Sequence, residues 1–195
     1  MDSPLDTEAA RQRAVAWAIA VTADTPLAPK RYERHLLDRY QRGELTLDDV
    51  SNLLDNSVYH VFYRSQATYF PNRAQLGEIL DWSHTYNAQH GITGLLLYSE
   101  GRFMQVIEGT ETAVVSLYDS IRQDSRHQHV FTLSEGPGPQ RWFADWQMAF
   151  GYLEPVELNQ LVGLVEAGKP LLLPLADPHV QTLVEAFGLA TSTPD

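Results

Sequence analysis

The sequence predicts an α+β fold: a mixed β-sheet with two helices on one face, in the order βαββαββ, with helical segments before and after it. Three observations carry this. GITGLLLY and RFMQVIEG are two β-rich runs joined by the tight polar turn Ser99-Glu100-Gly101, a strong hairpin signal. In the segment before the hairpin, Leu76, Ile79 and Leu80, continuing to Ser83 or Tyr86, follow helical spacing. After it, Val114, Leu117, Tyr118 and Ile121 do the same. The first six elements have the ferredoxin-like order, which places both helices against one face of the sheet.

The elements follow in order. Residues 1–56 read as a helical N-terminal extension. Thr7 caps a helix through AARQRAVAWAIAV, Pro26 and Pro29 interrupt, and KRYERHLLDRYQRG is a second helix ending at Gly43. Thr46 caps a short third helix with Asp48 and Asp49 in its first turn. Residues 57–153 form the sheet domain. VYHVFYR is its first strand, and Asn72 caps a helix from Arg73 to about His90, with Gln75 in the capping-box position. The hairpin follows. Gly109-Thr110 opens the second helix, and HVFTLSEG and WQMAFGYL complete the strands. Residues 154–195 read as a C-terminal helical cap on the open face of the sheet, with Glu154-Pro155 and Asp177-Pro178 each starting a helix.

Composition narrows the function. The formal charge is -11, from 25 acidic and 14 basic residues, which disfavours a nucleic-acid surface. There is no cysteine, so disulfides, thiolate metal sites and thiol nucleophiles are excluded. The seven histidines show no pair at ligand spacing within a helix, and no metal site is expected. The start, MDSPLDTEAA, lacks the basic and apolar regions of a signal peptide. No apolar run reaches the roughly 20 residues that a membrane helix needs. The expectation is a cytoplasmic protein that neither binds nor crosses a membrane.

Four features bear on chemistry. Alternation along the third strand puts Phe103, Gln105 and Ile107 on one face, and Met104, Val106 and Glu108 on the other. A glutamine between Phe and Ile must find partners or cost about 1–3 kcal/mol. Tyr63 ends an apolar strand, and a buried phenol also needs a partner. Asn87 sits near the end of a well-formed helix, just before GITG, and Trp146 and Met148 are spaced to share one face of the last strand. Singly, each has an ordinary reading: a backbone-bonded Gln, a core Tyr, a helix-end Asn, a packed strand. Together they ask for a planar, polar ligand held by amide groups, and an isoalloxazine edge fits, because Asn and Gln each offer both a donor and an acceptor.

The pieces FYRS, HTYNAQHGITGLLLY, GRFMQVIEG, QDSRHQHV and RWFADWQM resemble, in order and spacing, the BLUF family, sensors of blue light using FAD. The resemblance covers residues 58–153. It implies a ferredoxin-like fold with non-covalently bound FAD between the two helices, the flavin ring pointing at the sheet. By match, Tyr63 is the photo-redox tyrosine and Gln105 the switching glutamine. Asn87 holds the flavin's pyrimidine edge, and Ser83 contacts the flavin. Asp124, Arg126 and His127 lie near the ribityl and phosphate end. Trp146 and Met148 are the alternating pair on the last strand. One departure is Tyr86, where many members carry a second asparagine or a histidine.

The implied activity is sensory and not enzymatic. Light acts through Tyr63 and Gln105, and the output is a changed contact, within a homo-oligomer or with a downstream signalling protein. Two rivals are an acylphosphatase-like hydrolase on the same fold, whose short glycine-rich anion loop is not found, and a constitutive flavin-binding module. DRYQRGELTLDDVSNLLD is faintly similar to the helical antitoxins that inhibit Fic toxins; a helical cap or dimerisation arm is the plainer reading.

Overall fold

A computed structural model describes residue 5, residues 7–167 and residues 177–187. The chain divides into two compact units. One comprises residues 1–58 with 136–140, and the other residues 59–135 with 141–195. The expected C-terminal cap therefore belongs to the same unit as the sheet, as far as its residues are described.

The first unit holds three helices, α1 (Glu8–Thr22), α2 (Arg31–Gln41) and α3 (Leu47–Asp55). Thr7 and Thr46 cap α1 and α3 through their hydroxyls, as expected from sequence. α2 stops at Gln41, two residues before Gly43, whose φ of 76° ends the turn. A small core of Val15, Leu36, Tyr40 and Val50 joins the three.

In the remainder, the order is β1 (Val58–Ala67), α4 (Arg73–His90), β2 (Thr93–Ser99), β3 (Arg102–Gly109), α5 (Glu111–Gln123), β4 (His127–Gly138), β5 (Ala149–Tyr152), α6 (Pro155–Ala167) and α7 (Pro178–Ala186). The sheet runs β4-β1-β3-β2-β5. β1 and β2 flank β3 antiparallel, while β5 lies parallel to β2, so the sheet is mixed. Local chemistry explains the elements. Asn72 Oδ1 accepts from the Gln75 amide at 3.0 Å, and Gln75 Oε1 accepts from the Asn72 amide at 2.9 Å, a full capping box. Gly91 closes α4 at φ 62°. In the hairpin Ser99 pairs with Arg102, leaving a two-residue turn of Glu100 and Gly101, both at positive φ as a type I′ turn requires.

Alternation sorts the side chains onto two faces. On one, Val61, Tyr63, Leu96, Tyr98, Phe103 and Ile107 pack with Leu76 of α4 and Val114, Leu117 and Tyr118 of α5. On the other, Phe62, Leu95, Leu97, Met104 and Val106 pack with Leu158, Leu161 and Leu164 of α6 and Val180, Leu183 and Val184 of α7. Each such aliphatic side chain contributes about 1.5–3 kcal/mol on burial. Among the described residues no helix is long and apolar enough to cross a membrane.

Two expectations need correction. β4 is longer than HVFTLSEG, starting at His127 and ending at Gly138. The last strand is shorter than WQMAFGYL: it begins at Ala149, after Trp146 and Met148. The segment before it turns on a Trp146 N–H to Phe143 carbonyl bond at 3.0 Å. Its later carbonyls go to side chains of α4, so Trp146 and Met148 do not alternate on one strand face. Met148 is 3% exposed and packs with the α4/α5 core. Trp146 is 40% exposed, and its ring meets Phe143, which belongs to the opposite core, and His179 of α7 at 4.9 Å.

Candidate functional site

Between α4, α5 and the sheet lies a cleft with a cavity volume of about 160 Å³, partly open to solvent. β1 brings Tyr63 to it, α4 brings Ser83 and Asn87, and β3 brings Gln105. Asp124, Arg126 and His127 come from the end of α5 and the start of β4, and Met148 from the segment before β5. Of the residues singled out from sequence, Trp146 alone is absent from the lining.

The centre of the site is a linear hydrogen-bond chain. The Tyr63 hydroxyl donates to Gln105 Oε1, and Gln105 Nε2 donates to the Met148 sulfur at 3.5 Å. Tyr63 and Gln105 face each other because they are register partners across β1 and β3. Tyr63 is fully buried, with the Tyr118 ring 5.1 Å away. Burial pushes its phenol far above the ordinary value of 10.0, so it stays protonated. Loss of an electron from this ring then requires loss of its proton, and Gln105 Oε1 is the acceptor in contact.

Asn87 is 0% exposed. Its Nδ2 donates to the Gln147 carbonyl at 2.5 Å, while its Oδ1 has no partner. An unsatisfied buried acceptor costs about 1–3 kcal/mol. On a cleft wall, that oxygen is matched to a ligand bearing an N–H donor. A flavin's pyrimidine edge carries such an N–H, with carbonyl acceptors beside it, so Asn87 and Gln105 fit the group. Ser83, 7% exposed, stands one turn before Asn87 on the same helix face.

At one end of the cleft, Arg126 forms a bidentate contact with Asp124, with Nε to Oδ2 at 2.9 Å and Nη2 to Oδ2 at 2.6 Å beside Nε to Oδ1 at 3.0 Å. That contact holds the Asp124 carboxyl below its ordinary value. Burial holds the His127 ring below the ordinary 6.5, and its Nδ1 lies 3.0 Å from Ser65 Oγ.

Other residues of the site were not singled out from sequence. Trp82, Leu96 and Ser120 line the cleft, as do Ile79, Phe103 and Leu117, which periodicity had placed on a helix or strand face without assigning them to a site. Glu108, on the opposite face of β3, is 0% exposed. It accepts from the amides of Trp142 at 3.0 Å and Phe143 at 2.8 Å and from the Thr93 hydroxyl at 2.9 Å, anchoring the segment that leads to Met148. Arg141 donates to Thr93 Oγ1, the Glu108 carbonyl and the Gly91 carbonyl beside it. Among the described residues, no three His, Cys, Asp or Glu side chains gather as metal ligands would.

The family model for sensors of blue-light using FAD matches residues 58–149. The photoactivated adenylate cyclase subunit beta of Euglena longa is 41% identical over 107 residues, covering 54% of this chain and 12% of that protein. The alpha subunit of Euglena gracilis is 43% identical over 130 residues, covering 60% of this chain and 12% of that protein. The chain thus spans only about an eighth of the length of these relatives. The dark-state structure of BlrB, a BLUF protein, is 31% identical with a TM-score of 0.50, covering 67% of this chain and 95% of that one. Motif order, fold and likeness agree, and the chain belongs to the BLUF family of blue-light sensors using FAD.

Proposed function

We propose that this chain holds FAD non-covalently in the α4/α5 cleft and converts blue light into a changed protein–protein contact. The observation that carries the reading is the unbroken chain from Tyr63 through Gln105 to Met148 on the wall of that cleft. FAD, when bound, supplies blue-light absorption and a one-electron acceptor. Asn87 and Gln105 would hold its pyrimidine edge, with Ser83 contacting it from α4. Asp124, Arg126 and His127 would face the ribityl and phosphate part.

The chain's own residues do the rest. Tyr63 gives up an electron and its phenolic proton, and Gln105 relays the proton. When both return, the Gln105 amide is left rotated or in its other tautomer. Rotation exchanges the two ends of the amide. The nitrogen then faces the Tyr63 oxygen, and the amide oxygen faces the Met148 sulfur. Sulfur here only accepts, so the Met148 contact is lost. Met148 thus senses the amide's orientation, and the segment that carries it runs into β5 and α6.

Packed cores answer such a change by switching between arrangements, and a differential of about 1–3 kcal/mol shifts a two-state population roughly 5–150-fold. The recipient is a second copy of the chain or a downstream signalling protein. The test is an absorption spectrum of protein expressed with flavin available, followed by a light-minus-dark difference spectrum. A yellow protein with a reversible red shift supports the reading. A colourless protein that takes up no FAD on refolding rejects it.

A further inference from the structure

The segment that carries Met148 is held by α4, ahead of the strand ladder. β5 starts at Ala149. The two carbonyls before it are taken by side chains one helical turn apart: Asn87 Nδ2 reaches the Gln147 carbonyl at 2.5 Å, and His84 Nε2 reaches the Met148 carbonyl at 2.9 Å. A carbonyl only accepts, so the His84 ring carries a proton on Nε2.

We propose that His84 is a positioning residue of the photoswitch: by holding the Met148 backbone it seats the Met148 sulfur against Gln105 and sets how fast the switched amide returns in the dark. This rests on the function proposed above. The links are direct contacts. His84 bonds the backbone of Met148, Met148 sulfur accepts from Gln105 Nε2 at 3.5 Å, and Gln105 Oε1 accepts from Tyr63. An N–H to sulfur contact is weak, so a small displacement of Met148 removes it.

His84 does not line the cleft, whereas Asn87 does. Loss of Asn87 would disturb ligand and segment together. Loss of His84 disturbs the segment alone, which makes it the informative position. It also accounts for Met148 facing inward: β2 takes the Trp146 carbonyl through the Gly94 amide at 3.2 Å, and α4 takes the next two.

The experiment uses the full chain as purified, with His84→Ala and His84→Gln, the latter keeping an N–H donor of similar reach. The chain has three methionines, so ¹³C-methyl labelling gives few signals, and Met148→Leu assigns that of Met148. The dark-state methyl resonance reports seating without any photochemistry. The expected result is a shifted Met148 resonance in His84→Ala. Dark recovery should be slower, by up to roughly tenfold, the range one net hydrogen bond carries in a rate, because the contact that the returning amide regains is gone. Flavin content and thermal midpoint should stay near wild type, and His84→Gln should restore resonance and rate. An unmoved resonance and an unchanged recovery rate in His84→Ala would overturn the proposal, as would a His84→Gln protein that behaves like His84→Ala. If the loaded protein gives no red shift at all, the function proposed above fails, while the methyl resonance still decides whether His84 seats Met148.

Discussion

Replacing Glu108 by alanine tests how the segment ahead of β5 is held. The carboxylate is wholly buried and accepts from the Trp142 and Phe143 amides and the Thr93 hydroxyl. Alanine leaves those three donors without it, at about 1–3 kcal/mol for each that stays dry. The losses are not additive, and removing a buried charge returns part of its desolvation cost. A net loss of about 3–4 kcal/mol is expected, a large part of the roughly 5–15 kcal/mol that holds a domain together. Glutamine keeps one acceptor oxygen but turns an amide donor toward a backbone donor, so Glu108→Gln should fall between, at about 2 kcal/mol. Urea unfolding followed by tryptophan fluorescence measures both, and Trp142 sits at the anchored site. A loss under about 1 kcal/mol in Glu108→Ala, with an unchanged slope, would refute the reasoning, because the segment would then be held without the carboxylate.

Three further outcomes follow from other contacts. An added Cβ at Gly94 would stand 2.1 Å from the Val106 carbonyl oxygen, which is backbone and cannot rotate away. Gly94→Ala should therefore cost at least the roughly 1–3 kcal/mol of ordinary overpacking, read by urea midpoint, and a near-neutral variant would contradict it. Met148→Ala should keep the optical red shift, since Tyr63 and Gln105 remain, but abolish the light-induced change in hydrogen–deuterium exchange across residues 142–187. Exchange that changes only in residues 1–56 would make the N-terminal arm the output. His127 is held below 6.5 by burial, so the unfolded chain binds more protons than the folded one just below that value. Stability should fall as pH drops from 7.5 to 5.5, and less so in His127→Gln, by thermal melts. Asp124 acts in a separate window, because its contribution is lost only as pH falls through a value below 3.8.

Much of the fold was legible because local signals agreed with the tertiary result. The capping box at Asn72, the positive-φ pair at Glu100 and Gly101, and the period-two faces of β3 each have one structural solution. The register placing Gln105 opposite Tyr63 lies between β1 and β3, which no hairpin joins, so the sequence did not specify it. The failure at Trp146 and Met148 is equally physical. Spacing of two implies a shared face only inside a ladder, and here the carbonyls of Gln147 and Met148 are taken by Asn87 and His84. No local pattern reveals that a helix sixty residues earlier supplies those donors. Glu108 was read only as sharing a strand face with Met104 and Val106; Thr93 is its register partner across the hairpin, but the Trp142 and Phe143 amides come from the segment before β5, which no local pattern brings to it.

The most direct test of the central claim is the light-minus-dark absorption spectrum of FAD-loaded protein, wild type beside Tyr63→Phe. Phenylalanine keeps the ring in its fully buried place but has no proton for Gln105 and is far harder to oxidise. A reversible red shift is expected in the wild type, and in the variant retained flavin with no shift. A wild-type protein that binds FAD without any shift, or a Tyr63→Phe protein that shifts normally, would contradict the claim.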